Sequence, residues 1–364
     1  MATEMDVEPL NAVCLSAMAK NTTRAPANSS KLRSSTSYDV ARLAGVSQSA
    51  VSRCFESGAS ISDKTRQKVL AAATELNYAP NAIARSLAMR RSNIVAVLVT
   101  ETSARHTPDI LMQLNVELMR CGLHLLLFSI TQETGPGDVI ANVLRHQVDG
   151  VIACTTLPQE QILRCNQLRI PVVVYNRVAA GGNACSVGCD HVNATRDIAD
   201  RLYRSGHRHF AFIAGGAAAP VSIQRQIGLV GRLQELGVAD VAIAMGDFGY
   251  ESGRDCMLSL IDSGRPLTAV VCANDVMAFG AMDAARFDRG KSVPDDFSVI
   301  GFDDVSSACR PPYQLTTVRQ PTQELARQCV QLLIERIENK ELPPHVILLP
   351  GELIVRKSAR IEPA

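Results

Sequence analysis

The sequence predicts an α/β protein in which a small headpiece of three helices precedes a two-lobed, doubly wound core. Three observations carry this prediction. Short amphipathic helical patterns begin abruptly at Thr36 and end before residue 80. From residue 93 onward, continuous Val, Ile and Leu runs alternate with amphipathic stretches, which is typical of parallel strands covered by helices on both faces. This second region spans about 270 residues, which favours two lobes over a single sheet.

The headpiece carries a cap or a terminator at the predicted helix ends. Thr36 and Asp39 form a capping-box variant at the first helix, and Gly45 ends that helix. Ser47 and Ser62 are placed to cap the second and third helices. The predicted helices are Tyr38–Ala44, Gln48–Phe55 and Asp63–Leu76. We expect their shared core to contain Val40, Leu43, Val46, Val51, Phe55, Val69, Leu70 and Leu76.

Two helices joined by a three-residue, glycine-containing turn and supported by a third helix are the helix-turn-helix pattern. Gln48, Ser49 and Arg53 fall on the predicted exposed side of the second helix, where amide and guanidinium groups can reach base edges in a major groove. The stretch from Lys31 to Arg91 holds ten basic and four acidic residues, whereas the whole chain has a net charge of only +1. A basic head on a mildly acidic body favours DNA binding over the alternative, a three-helix bundle with no DNA role.

The core region contains eight candidate strands of mostly apolar residues. They are Ile94–Val99, Leu123–Ile130, Gly150–Cys154, Pro171–Asn176, His209–Gly215, Ala242–Gly246, Ala269–Asn274 and Ser298–Asp303. Amphipathic helices lie between them, among them Pro108–Arg120 and Asn193–Ser205.

Composition disfavours several classes of protein. The longest apolar runs are far shorter than the ~18 residues that span a bilayer. No apolar stretch follows a basic start in the first 30 residues, so we expect a cytoplasmic protein without a membrane segment or signal peptide. Residues 1–33 are polar and are predicted to form a disordered tail. Cys185 and Cys189 form a C-x3-C pair that could suggest zinc, but no second pair lies nearby, and we expect no metal and no cofactor.

An ordered set of motifs runs through both regions. In the headpiece they are Tyr38-Asp39-Val40-Ala41, Ala44-Gly45-Val46-Ser47, Val51-Ser52-Arg53, Lys64-Thr65-Arg66 and Leu76-Asn77-Tyr78-Ala79-Pro80-Asn81. In the core they are Val148-Asp149-Gly150-Val151-Ile152, Pro171-Val172-Val173, Asn176-Arg177, Gly206-His207-Arg208, Cys272-Ala273-Asn274-Asp275, Gly301-Phe302-Asp303-Asp304 and Leu315-Thr316-Thr317-Val318. Together they extend from Ser34 to Arg360, and a set of this length closely resembles the lactose/galactose repressor family.

The resemblance implies a type I periplasmic-binding-protein-like fold behind the headpiece, with chain crossings between the lobes near residues 189, 321 and 347. The implied divisions are a tail (1–33), a headpiece (34–80), a hinge helix and linker (81–92) and a core (93–364). The lobes of this core comprise approximately residues 93–188 with 322–346, and 189–321 with 347–362. The hinge helix, here Asn81–Ala88, would fold against its dimer mate on DNA, and Leu87 would be wedged into the minor groove. The alternative for Leu87 is a packing leucine in a linker.

The same resemblance implies two sets of contact residues. The DNA-contacting positions are Tyr38, Ser47, Gln48, Ser49, Ser52, Arg53, Asn81, Ala84 and Leu87, on a pseudo-palindromic operator bound by a homodimer. The positions that contact a small-molecule effector are Asn176, Arg177, Arg225, Phe248, Asn274 and Asp303, which suit a polyhydroxylated molecule with a ring that can stack on Phe248.

The charges of this implied cleft bear on the class of effector. Arg105 and His106 stand where relatives carry aromatic residues, and Arg177 and Arg225 provide two guanidiniums. This set favours a sugar acid or a phosphorylated sugar. The alternative is that Arg105 and His106 face solvent and that the effector is a neutral sugar.

We therefore expect a DNA-binding transcriptional regulator controlled by a small polar metabolite, not an enzyme. Repression relieved by an inducer is favoured over repression that requires a corepressor, although the residues are compatible with both. An enzyme is an alternative use of such a core, but Gly290-Lys291-Ser292 lacks the glycine of a phosphate loop, because Ala285 stands at that position. A solute-binding protein would need a signal peptide and no headpiece.

Overall fold

The computed structural model describes residues 35–55, 59–79, 91–100, 108–131 and 135–361. The chain divides into two compact units, one up to residue 82 and the other from residue 83 onward. The predicted tail (1–33) and the predicted hinge helix (Asn81–Ala88) lie outside the described residues.

The headpiece consists of α1 (Ser37–Ala44), α2 (Gln48–Cys54) and α3 (Asp63–Glu75). The capping box at α1 is complete, because the Thr36 hydroxyl accepts from the Asp39 amide and the Asp39 carboxylate accepts from the Thr36 amide. Gly45 ends α1 with a left-handed φ of 64°, a conformation that glycine adopts without strain. Ser47 and Ser62 cap the other two helices, as expected. These local signals place each predicted helix end within one residue.

Two of the leucines expected in the headpiece core are instead partly exposed. Leu43 is 46% exposed and Leu70 is 44% exposed. Val69 is fully buried, and Leu70 is its neighbour about 100° further around the same helix. The remaining interior space is filled by small residues of the three helices. These are Ala41, Cys54, Ala72 and Ala73.

The second unit contains twelve strands and eight α-helices among its described residues. The strands are β1 (Ile94–Thr100), β2 (His124–Ile130), β3 (Gly150–Ala153), β4 (Val172–Tyr175), β5 (Cys185–Cys189), β6 (Phe210–Ala214), β7 (Val241–Met245), β8 (Ala269–Cys272), β9 (Ser298–Asp303), β10 (Thr316–Arg319), β11 (Val346–Leu349) and β12 (Glu352–Ile354). The helices are α4 (Pro108–Arg120), α5 (Pro136–Arg145), α6 (Gln159–Gln167), α7 (His191–Arg204), α8 (Pro220–Glu235), α9 (Tyr250–Asp262), α10 (Asp275–Asp283) and α11 (Thr322–Glu338).

The strands form two six-stranded sheets, and each sheet is the centre of one lobe. The first has the order β11-β5-β4-β3-β1-β2 and the second has the order β12-β10-β9-β8-β6-β7. All pairs are parallel except β10 with β12. No helix in the described part of the chain is long and apolar enough to cross a membrane.

Both faces of the first sheet are covered, as a doubly wound fold requires. Val95 and Val97 of β1 pack on one face against leucines of α4 and α11. The alternate residues Ala96 and Leu98 pack on the other face against α5 and α6. The predicted α/β class with two lobes is confirmed.

The chain crosses between the lobes three times. Two crossings, after β5 and after β10, lie where they were expected, near residues 189 and 321. The third was predicted about three residues too early, because β11 continues to Leu349 in parallel register with β5. This crossing therefore falls at residues 350–351, and 347–349 belong to the first lobe. The strands β5, β10, β11 and β12 were missed. Strands β5 and β10 are not continuous runs of Val, Ile and Leu, and β11 and β12 lie at sheet edges with half-exposed residues.

The two cysteines of the C-x3-C pair lie at opposite ends of β5 and are both buried. Cys185 packs into the core of the first lobe, whereas Cys189 packs into the core of the second. Their thiols therefore fill space in two different cores.

A buried carboxylate connects two segments of the second lobe. Asp275 is fully buried, accepts a hydrogen bond of 2.5 Å from the Thr317 hydroxyl and one of 2.9 Å from the Val305 amide. Burial, reinforced by the negative charge of Asp303, raises the pKa of Asp275 from its ordinary value to about 7.

We predict that Asp275 makes the protein less stable as the pH rises from about 4 to 7. Because the pKa is raised in the folded state, the folded protein holds a proton in this window that the unfolded chain has already lost. Asp275→Asn should remove this part of the pH dependence. Thermal unfolding across this pH window measures the effect, with the exposed Asp240→Asn as control. An Asp275→Asn variant whose melting temperature follows the wild-type pH profile would contradict the prediction.

Candidate functional site

The six candidate effector residues line a single cavity of about 370 Å³ whose walls come from both lobes. Asn176 and Arg177 follow β4, Phe248 follows β7, Asn274 follows β8 and Asp303 ends β9. Arg225 projects from α8, the helix between β6 and β7. In open parallel sheets, ligand sites form outside the carboxyl ends of the strands, which is where these residues lie.

Arg225 is 3% exposed, and protein groups already engage its guanidinium. It donates to Asp303 at 3.3 Å and to the carbonyl of Ala273, and its Nε donates to Nδ1 of His191 at 3.4 Å. Its Cζ lies 3.6 Å from the centre of the Phe302 ring. Burial lowers the pKa of Arg225 from its ordinary value, and the charge of Asp303 opposes that shift.

His191 is buried in the same network as a neutral imidazole. Burial, followed by the positive charge of Arg225, lowers its pKa well below the ordinary value. A neutral ring can accept from Arg225 at Nδ1 without adding a second positive charge.

Arg225, interpreted from the sequence as a cation available to an anionic effector, is paired with Asp303 at 3.3 Å. The described cavity wall carries two guanidiniums, Arg177 and Arg225, and two carboxylates, Asp247 and Asp303. Over these residues the formal charges cancel. Arg105 and His106, which entered the same interpretation, lie outside the described residues.

Arg177 and Asn176 are held by the first lobe and by the first crossing. Arg177 donates to the Thr156 hydroxyl at 2.9 Å, while its buried Nε has no hydrogen-bond partner among the described residues. The Asn176 side-chain oxygen accepts from the amide of Cys189 at 3.3 Å. Asn176 has a φ of 56°, a left-handed conformation that positions its side chain at the end of β4.

Phe248 and Asn274 support one another on the opposite wall. Asn274 caps α10 by accepting from the Met277 amide, and its side-chain nitrogen donates to the Phe248 carbonyl at 3.0 Å. Phe248 also has a left-handed φ, of 72°. Its ring lies against Gly215, where a Cβ atom would overlap the ring, so the glycine allows the aromatic face to reach the cavity.

Gln320 is a further cavity residue, one that was not predicted from the sequence. It lies at the second crossing, is 5% exposed and donates to Asp303 at 2.7 Å. Its side-chain oxygen has no hydrogen-bond partner within the described part of the chain. The sequence does contain a signal for Gln320, because this polar residue immediately precedes Pro321, where the second crossing was expected.

In the headpiece, the described candidate DNA residues form an exposed surface. Ser47, Gln48, Ser49, Ser52 and Arg53 are exposed, and Tyr38 is 72% exposed. Val51, on the same helix, is buried, as its predicted orientation requires. The three remaining candidates lie outside the described residues. They are Asn81, Ala84 and Leu87.

Two segments match known protein families. Residues 36–81 match the bacterial regulatory proteins of the lacI family, and residues 199–359 match the periplasmic binding protein-like domain. The chain is 31% identical over 334 residues to the HTH-type transcriptional repressor CytR of Escherichia coli (strain K12), which covers 90% of this chain and 97% of that protein. It is also 31% identical over 338 residues to catabolite control protein A of Priestia megaterium, covering 89% and 99% of the two chains.

Solved structures give the same result. The lac repressor dimer bound to operator and the anti-inducer ONPF has a TM-score of 0.81 and 29% identity, with 90% of this chain and 99% of that chain covered. The transcriptional regulator CelR in complex with cellobiose has a TM-score of 0.67 and 29% identity, with 89% and 100% covered. The chain therefore belongs to the lacI family of bacterial regulatory proteins and is a DNA-binding transcriptional regulator.

Proposed function

We propose that this protein is a repressor that binds a pseudo-palindromic operator as a homodimer and changes its affinity when a small, neutral, polyhydroxylated effector occupies the core cavity. The observation that carries the proposal is that side chains from both lobes converge on one cavity beside two of the three crossings. Its volume of about 370 Å³ suits a small ligand. The related CytR is named as a transcriptional repressor, which supports a role in binding and not in catalysis.

The headpiece surface supports base reading by α2. Gln48 and Arg53 are exposed, and within the described residues their side chains make only hydrogen bonds of 3.4 Å, to Ser37 and to the Ser49 carbonyl. Such weak hydrogen bonds allow the amide and guanidinium groups to exchange these partners for base edges.

Two exposed apolar stripes support the homodimer. Met112, Val116 and Met119 lie on α4 at helical spacing, with Met112 65% exposed. Ile223 and Ile227 lie on α8. The two helices occupy equivalent positions in the two sheets, since α4 connects β1 to β2 and α8 connects β6 to β7. Matching apolar stripes in both lobes suit a two-fold interface, and the related lac repressor was solved as a dimer.

The cavity chemistry supports a neutral effector. The formal charges of the described wall cancel, and the Arg225 guanidinium is paired with Asp303, so the described wall as a whole does not select an anion. Arg177 Nε offers a donor and Gln320 offers an acceptor, a combination that hydroxyl groups satisfy. The related regulator CelR was solved with cellobiose, a neutral sugar.

Effector binding would couple to DNA binding through the crossings. A ligand held by Arg177 from one lobe and by Asn274 from the other changes the free energy of lobe closure. The effect on operator affinity and the effect on effector affinity must then be equal, about 1–3 kcal/mol in typical cases. An inducer that weakens operator binding is the favoured direction, and a corepressor that strengthens it is the second candidate.

We predict that Arg53→Ala weakens operator binding by about 1–3 kcal/mol and relaxes base preference at one position of each half-site. The reason is that a bidentate contact to a base edge carries sequence information, whereas a phosphate contact does not. Affinity measured on a library of single-base operator variants tests this, with the exposed Lys68→Ala of α3 as control. An equal loss of affinity on all sequences would contradict base reading by Arg53.

We predict that Ile227→Lys converts the dimer into monomers at concentrations where the wild type is dimeric. A lysine in an apolar interface would leave a charge without a partner. Sedimentation velocity gives the result, with Phe287→Lys, an exposed position on the segment after α10, as control. A wild-type monomer, or an Ile227→Lys variant that remains dimeric, would argue against this interface.

We predict that neutral sugars bind the core more tightly than their acid counterparts, and that Asp303→Asn reverses part of this preference. Removing the carboxylate leaves the Arg225 guanidinium without its counter-charge, which favours an anion. Titration calorimetry with matched pairs such as cellobiose and cellobionate measures the ratio. The control is Asp247→Asn, because Asp247 is an exposed carboxylate of the same wall and solvent screens its charge. Tighter binding of the acids by the wild type would exclude a neutral effector and leave DNA binding unaffected.

A further inference from the structure

A second cavity, of about 460 Å³, lies in the first lobe at the amino ends of the strands, whereas the effector cavity lies at their carboxyl ends. Its walls are the segments that lead into the amino ends of β4, β5 and β11, together with the end of α11. We refer to it as the basic cleft, because Arg169, Arg336 and Lys340 line it and Glu341 is the one acidic residue among its described walls.

The three cations of the basic cleft have no hydrogen-bond or ion-pair partner in the part of the chain that the structure describes. Several other arginines of the core are paired with carboxylates. Arg196, for example, pairs with Glu235 at 2.7 Å, and Arg289 pairs with Asp262 at 2.6 Å.

The helix ends at the cleft do not account for all of this positive charge. The carboxyl ends of α6 and α11 reach the cleft, and each end of a helix carries roughly half a negative charge. Together with Glu341 they balance about two of the three cations, so a positive excess remains.

We propose that the basic cleft binds a phosphate group. Two arginines provide planar forks of N–H donors that match phosphate oxygens, and a lysine adds a compact charge. The cleft is open on the protein surface, since Arg169 and Lys340 are both exposed. It therefore admits a phosphate carried by a larger molecule as well as a small phosphorylated metabolite.

The phosphate has two candidate sources, the DNA backbone and a soluble phosphorylated molecule. A DNA source rests on the operator binding proposed above, whereas a soluble phosphate source does not.

The first experiment uses inorganic pyrophosphate as the probe and the full chain as the protein. Titration calorimetry of the wild type should show saturable binding, and Arg336→Gln with Lys340→Gln should weaken it by roughly tenfold or more, because the variant cannot form these charge-assisted hydrogen bonds. Arg204→Gln with Arg310→Gln is the matched control, because it removes two exposed arginines of the second lobe and leaves the same net charge. Lys340→Gln alone, beyond the end of α11, should weaken binding less without altering that helix.

The second experiment measures operator affinity against salt concentration on two duplexes, one limited to the operator and one extended on both sides. If backbone phosphates occupy the cleft, the double variant should lower the salt slope on the extended duplex by about 0.9 for each phosphate that it no longer neutralises. The control variant should keep the wild-type slope.

The outcomes separate the sources and the two proposals. Pyrophosphate binding with an unchanged DNA slope assigns the cleft to a soluble phosphate, and a changed slope assigns it to DNA. Failure of the wild type to bind an operator would count against the proposed function and leave the pyrophosphate result intact. Equal results for the double variant and the control in both experiments would overturn the phosphate site.

Discussion

The effector cavity depends on the buried guanidinium of Arg225. A charge with 3% exposure is stable only if protein groups replace the water around it, and here a carboxylate, a backbone carbonyl, an imidazole nitrogen and an aromatic face do so. The groups that hold Arg225 come from α7, the end of β8 and the end of β9. Removing one partner of such a buried pair typically costs about 3–5 kcal/mol, so Arg225 stabilises the wall of the cavity as well as lining it.

This arrangement sets the charge that the cavity presents. Asp303 contacts Arg225 and Gln320 together, so it connects α8 with the second crossing. It does so with a φ of 125°, outside the regions that side chains normally allow. Backbone strain of this kind is maintained where several surrounding contacts fix the conformation of a residue, and it is concentrated at functional sites. Because the pair is internally neutral, Arg225 and Asp303 together add no net formal charge to the cavity.

The two concave surfaces of the first lobe follow from its parallel sheet. The carboxyl ends of β4 and β5 face the effector cavity, and their amino ends face the basic cleft. The formal charges of the described wall at the carboxyl ends thus cancel, whereas the basic cleft at the amino ends has a positive excess. The direction of the strands therefore keeps the two surfaces apart.

The sequence by itself determined the elements whose signals are local. The capping residues Thr36, Ser47 and Ser62 defined the headpiece helices, because each hydroxyl accepts from an amide only three residues away. The long apolar strands such as β1 and β9 were equally clear. The six effector positions, however, came from resemblance to a family, and no periodicity of the chain would have brought them together.

Only the tertiary structure decided that Leu43 and Leu70 are exposed, where the third crossing lies, and that Arg225 of the cavity is paired with Asp303. Helical spacing alone does not show which neighbours a leucine will meet, and the short edge strands are formed by pairing partners distant in sequence. The pairing of Arg225 with Asp303 joins residues 78 positions apart. This pairing could not be predicted from the sequence, because the compensation of a charge depends on distances in space that the order of residues does not contain.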